Sequence, residues 1–483
     1  MKQSKLLKAL QECDLGLLSR FSLFLQSPYF NKKKSLIVLW EEIEKKLRQR
    51  KGPLDESEVL ASLTNNLGLS DKSLKNALSN LLSLFTRFLA HEKIEQNPSL
   101  QVSLSLEQLA EMRDNGLFLL KSKQYEKNSF EKEKLWSEDY FYQYKLLNHQ
   151  HHLQELESRS EYPDKLITAI EKFEAYAVIE QLILLNRMYA YRTFKEKVLS
   201  ADMEKRISGL LRFITQRWKD FQNEPLLQLF YYAFLVQKEA SEDAFNKLYH
   251  TMIGEQAGKI HFENANNLYS YIENYCIYQI NRGNQQYYEQ YLKSIQVKQA
   301  VYDIKVKEWD YKNLTLTYCR LGRIDEALQF VKDKQKDLPV ERQKNAYAFN
   351  MATIKMYEKK YNEAIELLQT IKYIDHVYYI GAKTRIVKIY YDLGEYQAIF
   401  SVLDSIRLYF IRNKNLTTTR RQVHLNFIRF VRKLTRLKAR KNYTPLENYT
   451  QKMDALHHEI QQEEVLHNKA WLLQETSTQS ISI

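Results

Sequence analysis

The chain has 483 residues with only 11 Gly and 7 Pro, 27% charged residues and a formal net charge of +13. Such sparse helix-breaking residues exclude a fold of many strands and tight turns, and point to an all-α protein with more than one packed module. No run of about 18 apolar residues occurs, and Met1 to Leu10 lacks the apolar stretch of a signal segment, so neither a membrane span nor a secretory leader is expected.

Residues 1–95 read as an N-terminal helical module. Leu17, Phe21 and Leu25 recur at helical spacing, and Ser27-Pro28 stops that helix because the residue before Pro avoids the α region. Leu36, Trp40, Ile43 and Leu47 mark a second helix, ended by Gly52-Pro53, after which Asp55 can cap a third. A fourth runs from about Asp71 to His91 through Leu74, Leu78, Leu81, Phe85 and Phe88. The stretch Phe21 to Ile43, chiefly its Ser27 to Asn31 segment (Ser-Pro-Tyr-Phe-Asn), with the helix of Ser70 to Leu89, resembles the opening of a group of uncharacterised helical proteins of Bacteroidota. That resemblance covers about the first 95 residues and implies no activity. Gln96 to Ser105, with Pro98 and little charge, is expected to be a linker.

Residues 106–250 continue as irregular helical hairpins, with breaks near Asn115-Gly116, Tyr162-Pro163 and Glu224-Pro225. Over 251–410 a repeat emerges. Tyr318, Gly322, Ala327 and Pro339 recur as Ala352, Tyr361 and Ala364, then as Tyr390, Gly394 and Tyr396. Ala327, Ala364 and Ile399 are equivalent positions, 37 and 35 residues apart, and a looser unit precedes them around Tyr278 and Gly283. Lys359 stands where the other units carry a turn Gly, and Lys355 where an aromatic is usual.

This pattern resembles the tetratricopeptide repeat, an ~34-residue helix pair with small residues where the helices touch and Gly in the turn. The fold class expected is therefore an all-α helical-hairpin repeat solenoid, tetratricopeptide-like, with an N-terminal helical module. A single hairpin cannot bury its apolar face, so neighbours must stack. The resemblance implies a concave, peptide-holding surface on the first helix of each pair. Its candidate residues are Trp309, Lys312, Leu316, Cys319 and Arg320, then Phe349, Asn350, Thr353, Met356 and Tyr357, then Thr384, Arg385, Lys388, Tyr391 and Asp392. Lys312, Asn350 and Arg385 stand at positions of the family's carboxylate clamp, but Leu316 and Gly381 depart from it.

A basic helical segment follows at 411–445, then a C-terminal helix at 446–475 and a polar tail at 476–483. Ser405 to Leu446 holds twelve Lys or Arg and no Asp or Glu, leaving +1 for the rest of the chain. Val423, Phe427, Phe430, Leu434 and Leu437 form a core-facing stripe there. Arg420, Arg421, Arg429, Arg432, Lys433, Arg436 and Arg440 are the candidates for an anionic partner, which is a nucleic acid, an acidic protein surface or the chain's own C-terminal helix.

Catalysis is not expected. The chain has no Gly-rich phosphate loop, His-Glu-x-x-His, Gly-x-Ser-x-Gly or Cys-x-x-Cys. His149, His151 and His152, and His457 with His458, lack acidic or Cys companions at ligand spacing, so no metal or cofactor is expected. Cys13, Cys276 and Cys319 are too scattered for a disulfide framework and suit a reduced cytoplasm. The function expected is a non-enzymatic interaction scaffold or adaptor that binds a peptide or protein through its repeats. The alternative is a nucleic-acid-binding regulator using 405–446 or a helix-turn-helix-like segment at 60–81. In that segment Gly68 makes the turn, and Ser70, Lys72, Lys75 and Asn76 face a major groove.

Overall fold

The computed structural model describes residues 4–49, 56–112, 115–130, 134–156, 164–192, 199–254, 256–282, 284–371, 376–412, 418–463 and 465–477. Gly52, Pro53, Asp55, Pro163, Gly283 and the side chain of Arg420 lie outside the described residues. Among the described residues there are twenty-four α-helices and no strand. The chain divides into two compact units, one of Met1–Lys132 with Ser137–Tyr176, the other of Glu133–Trp136 with Ala177–Ile483.

The first unit opens with α1 (Lys5–Gln11), α2 (Leu15–Gln26), α3 (Lys34–Gln49), α4 (Glu56–Leu67) and α5 (Asp71–Glu95). Side chains satisfy the free N–H groups at their starts. Asp14 accepts from Leu17 N–H at 2.8 Å, and Ser70 caps α5 through Ser73 N–H at 3.3 Å. The apolar stripes close on one core, where Phe21 meets Trp40 edge-on at 4.7 Å and Phe85 at 5.1 Å. Each such ring contributes roughly 1.5–3 kcal/mol through burial.

The Ser27 to Asn31 segment is a structural corner within this core. Asn31 is buried, its amide donates to Leu25 O at 3.0 Å, and its Oδ1 accepts from Lys33 N–H at 2.9 Å. Phe30 stacks on Phe24 at 4.1 Å.

The expected linker from Gln96 to Ser105 is instead helical, part of α6 (Pro98–Glu111). Asn97 caps it by accepting from Leu100 N–H at 3.1 Å, and Pro98 occupies the first turn, where its missing N–H costs nothing. α7 (Asn115–Phe130) and α8 (Ser137–Leu156) pack on α6 around Leu106, Phe118 and Leu146. α9 (Asp164–Arg192) spans the boundary between the units.

The second unit continues with α10 (Ala201–Gln216), α11 (Trp218–Phe221), α12 (Pro225–Glu239) and α13 (Glu242–Ile253). The antiparallel pair α14 (Phe262–Asn281) and α15 (Tyr287–Tyr302) comes next. The hairpins read from the sequence follow as α16 (Glu308–Arg320) with α17 (Ile324–Lys334), α18 (Val340–Tyr357) with α19 (Tyr361–Gln369), and α20 (His376–Asp392) with α21 (Tyr396–Arg412). The chain ends in α22 (Thr418–Ala439), α23 (Leu446–Gln462) and α24 (Lys469–Thr476). Ala327, Ala364 and Ile399 have no exposed surface, as hairpin contacts require.

The three hairpin turns share one backbone device. Gly322, Lys359 and Gly394 all lie in the left-handed region, at φ +72°, +60° and +74°. Each is followed by the same long return bond: Arg323 N–H to Tyr318 O, Lys360 N–H to Lys355 O, and Glu395 N–H to Tyr390 O, each at 2.9 Å. These bonds cap the carbonyls left open at the end of the first helix. Lys359 therefore does a glycine's work with a Cβ. The first helices α16, α18 and α20 also pack side by side, as stacking demands. The fold is an all-α helical-repeat solenoid.

Candidate functional site

The packed first helices of the hairpins present one face to a cavity of about 950 Å³. Residues three and four apart share a helix face, so α16 contributes Trp309, Lys312, Leu316 and Arg320. α18 supplies Phe349, Thr353, Met356 and Tyr357, and α20 supplies Thr384, Arg385, Lys388 and Asp392. Of the groove residues read from sequence, the structure thus brings together Trp309, Lys312, Leu316, Arg320, Phe349, Thr353, Met356, Tyr357, Thr384, Arg385, Lys388 and Asp392.

Asn350 and Tyr391 are corrections. Asn350 has no exposed surface and bonds back to Ala346 O at 2.8 Å, one helical position away from the cavity-lining Phe349. Tyr391 is buried in the core of the last helices, its ring 5.3 Å from Trp471. Cys319 is buried as well.

The fourth wall comes from residues that local sequence patterns did not connect to the groove. Val423 and His424 reach in from α22, and His467, Asn468 and Trp471 reach in from the C-terminal segment. His467 N–H donates to Val423 O at 3.3 Å, and its ring lies 4.7 Å from His424. Asn468 sits at φ +53°, a conformation that Asn tolerates better than most residues. The expected groove of three repeat helices is therefore a cavity lined as well by α22 and the C-terminal segment. The one local signal for this was Asn468, a residue suited to a sharp corner.

The electrostatics are one-sided. Arg385 lies flat over Phe349, its guanidinium carbon 3.8 Å from the ring centre, and its Nε donates to Thr353 Oγ1 at 3.1 Å. Lys312 stands 4.2 Å from the Trp309 ring. Lys388 donates to Asn468 Oδ1 at 2.9 Å and lies 5.2 Å from the Trp471 ring. Arg320 is exposed at the rim, over Tyr357.

Among the described residues, none of these four cations forms an ion pair. Burial, then the charges of Arg385 and Arg320, push the Lys388 ammonium down to about 8. Burial pushes Arg385 down to about 10, and burial with Arg385 nearby lowers Lys312. Burial, reinforced by His424 and Lys388, holds His467 down to about 3, so that imidazole is neutral. The acid in the lining is Asp392, exposed and accepting from Tyr361 Oη at 3.4 Å. The Gly381 backbone allows the Phe349 ring to pack close, since a Cβ there would meet Phe349 Cε2 at 2.8 Å.

The basic segment has a different arrangement. Phe427, Phe430 and Leu434 are buried as the stripe required. Three of the cations opposite are paired to acids of the same chain: Arg429 with Glu463 at 2.7 Å, Lys433 with Glu459 at 2.7 Å, and Arg432 with Asp404. Arg436 and Arg440 are exposed, and Arg421 is half-buried.

At the Gly68 turn, Leu63 and Leu74 are buried in the N-terminal core. Ser70 is spent as the N-cap of α5, while Lys72, Lys75 and Asn76 are exposed. His457 Nδ1 lies 2.9 Å from Thr476 Oγ1, and His149 packs against Phe118. Among the described residues no group of three or more His, Cys, Asp or Glu converges as metal ligands. No helix among them is long and apolar enough to cross a membrane. No known protein family, curated protein or solved structure matches the chain.

Proposed function

We propose that the chain is a non-enzymatic, tetratricopeptide-like interaction module of the cytoplasm that holds an anionic segment of a partner protein in the cavity of α16, α18 and α20. One observation carries this reading: Lys312, Arg320, Arg385 and Lys388 converge on one concavity without an ion-pair partner among the described residues. Lys312, Arg385 and Lys388 are partly withdrawn from water with no directly paired carboxylate among the described residues, which costs free energy that an anionic guest would return. The aromatic lining adds apolar area and ring faces for the guest's stem. Buried Cys276 and Cys319, both free thiols, fit the reduced compartment.

The rival reading is a nucleic-acid-binding regulator acting through 405–446. It has less support, because Arg429, Arg432 and Lys433 are already paired within the chain. Affinity capture with the full chain tests the proposal. Partner proteins should be retained by the wild type and released by Arg385→Met and Lys312→Gln. Identical capture by all three, or salt-dependent capture of nucleic acid instead, would count against it.

A further inference from the structure

The geometry points to a phosphorylated side chain, a phosphate monoester on an apolar or aromatic stem, as the group that the cavity receives. This inference rests on the partner-binding reading of the same cavity and narrows its chemistry. Charge stoichiometry comes first. Five cations, Lys312, Arg320, Lys359, Arg385 and Lys388, line one cavity, and Asp392 is the single acid of its lining. Glu308, near Lys312, is engaged with Arg342 at 2.8 Å, and Glu358 pairs with Lys355 and Lys360. A carboxylate would offset one positive charge, whereas a phosphate monoester brings roughly two negative charges near pH 7 and three acceptor oxygens. Clusters of Arg and Lys are the usual means of reading such a group.

Donor geometry is the second part. Arg385 spends its Nε on Thr353 and lies flat on Phe349, which fixes the guanidinium plane and leaves its other nitrogens to donate. Lys388 is steadied by Asn468 and Lys312 by the Trp309 face, so the donors are held before a ligand arrives. The shape of the cavity is the third part. His467, Asn468 and Trp471 line it beside the three first helices, so it is walled by the C-terminal segment as well as by the repeats, which suits an inserted side chain better than an extended strand laid along the repeats alone.

Calorimetric titration of the full chain with phenyl phosphate and with phenylacetate, at equal ionic strength, tests this directly. Phenyl phosphate should bind roughly ten times more tightly, and Arg385→Met and Lys312→Gln, each checked for folding by circular dichroism, should weaken it about tenfold. Equal affinity for the two probes, no binding of either, or binding unchanged in both folded variants would overturn the inference. Phosphatase treatment of the lysate before capture separates it from the broader reading. A partner retained regardless of phosphatase leaves the partner reading standing and removes the phosphate. Tight phenyl phosphate binding with no protein captured does the reverse.

Discussion

Lys388 Nζ donates a 2.9 Å hydrogen bond to Asn468 Oδ1 across 80 residues of sequence, fastening the C-terminal segment to the third hairpin. The same residue that faces the cavity thereby holds its fourth wall in place. Asn468→Ala removes the acceptor and puts a Cβ without a compensating amide at φ +53°. It should destabilise the chain by about 1–2 kcal/mol. Asn468→Gly, which relieves the backbone but also loses the bond, should cost less. Urea unfolding of the pair measures the difference, and equal losses would remove the backbone part of the explanation.

Lys359 offers the converse experiment. It adopts φ +60° where the neighbouring turns have Gly322 and Gly394. Lys359→Gly should stabilise by about 0.5–1 kcal/mol, the relief of left-handed strain exceeding the added freedom of the unfolded chain. Gly322→Ala should cost about 1 kcal/mol at a turn with nothing within 4 Å of the new Cβ, so the loss is conformational rather than steric. Chemical denaturation midpoints check both signs.

His467 should make the closure acid-sensitive. Its folded value of about 3 lies below its ordinary 6.5, because burial disfavours the imidazolium. Between those values the unfolded chain binds a proton that the folded chain refuses, so stability rises with pH and is lost on acidification through that window. Melting temperature measured from pH 7 to pH 4 should therefore fall more in the wild type than in His467→Phe. Parallel curves would show that this imidazole does not titrate on unfolding.

Much of this architecture was legible in the sequence, for local reasons. Apolar spacing and scarce Gly and Pro expose helices directly, and Ala327 and Ala364 identify two of the hairpin contacts because small side chains favour close approach, although Ile399 fills the third. The cavity face was legible to within one helical position. Phe349 lines it while Asn350, about 100° around the helix, turns into the core. The composition of Gln96 to Ser105 suggests a linker, whereas Asn97-Pro98 is a helix cap followed by a first-turn proline.

Long-range closure was not legible. Nothing local to Trp471 says that it packs near Lys388. The chain's own C-terminal helix was one of the three partners open to the basic segment, and Glu459 and Glu463 there do pair with Lys433 and Arg429, but Asp404 beside Arg432 had no signal in the sequence.

Asn31 gives the N-terminal motif a physical test. Its amide bonds Leu25 O and Lys33 N–H while buried, so Asn31→Ala leaves two backbone groups without their partner. A loss of about 1–3 kcal/mol is expected, with Asn31→Asp also destabilising because it replaces the donor to Leu25. A change below about 0.5 kcal/mol in thermal or urea unfolding would mean that the corner is held by Phe24 and Phe30 instead.

Hydrogen–deuterium exchange on the full chain, with and without saturating phenyl phosphate, tests most directly whether the repeat cavity is the binding site. Protection is predicted in α16, α18, α20 and residues 465–477, and its loss in Arg385→Met. Protection confined to α22 or to residues 60–81, or none anywhere, would contradict it.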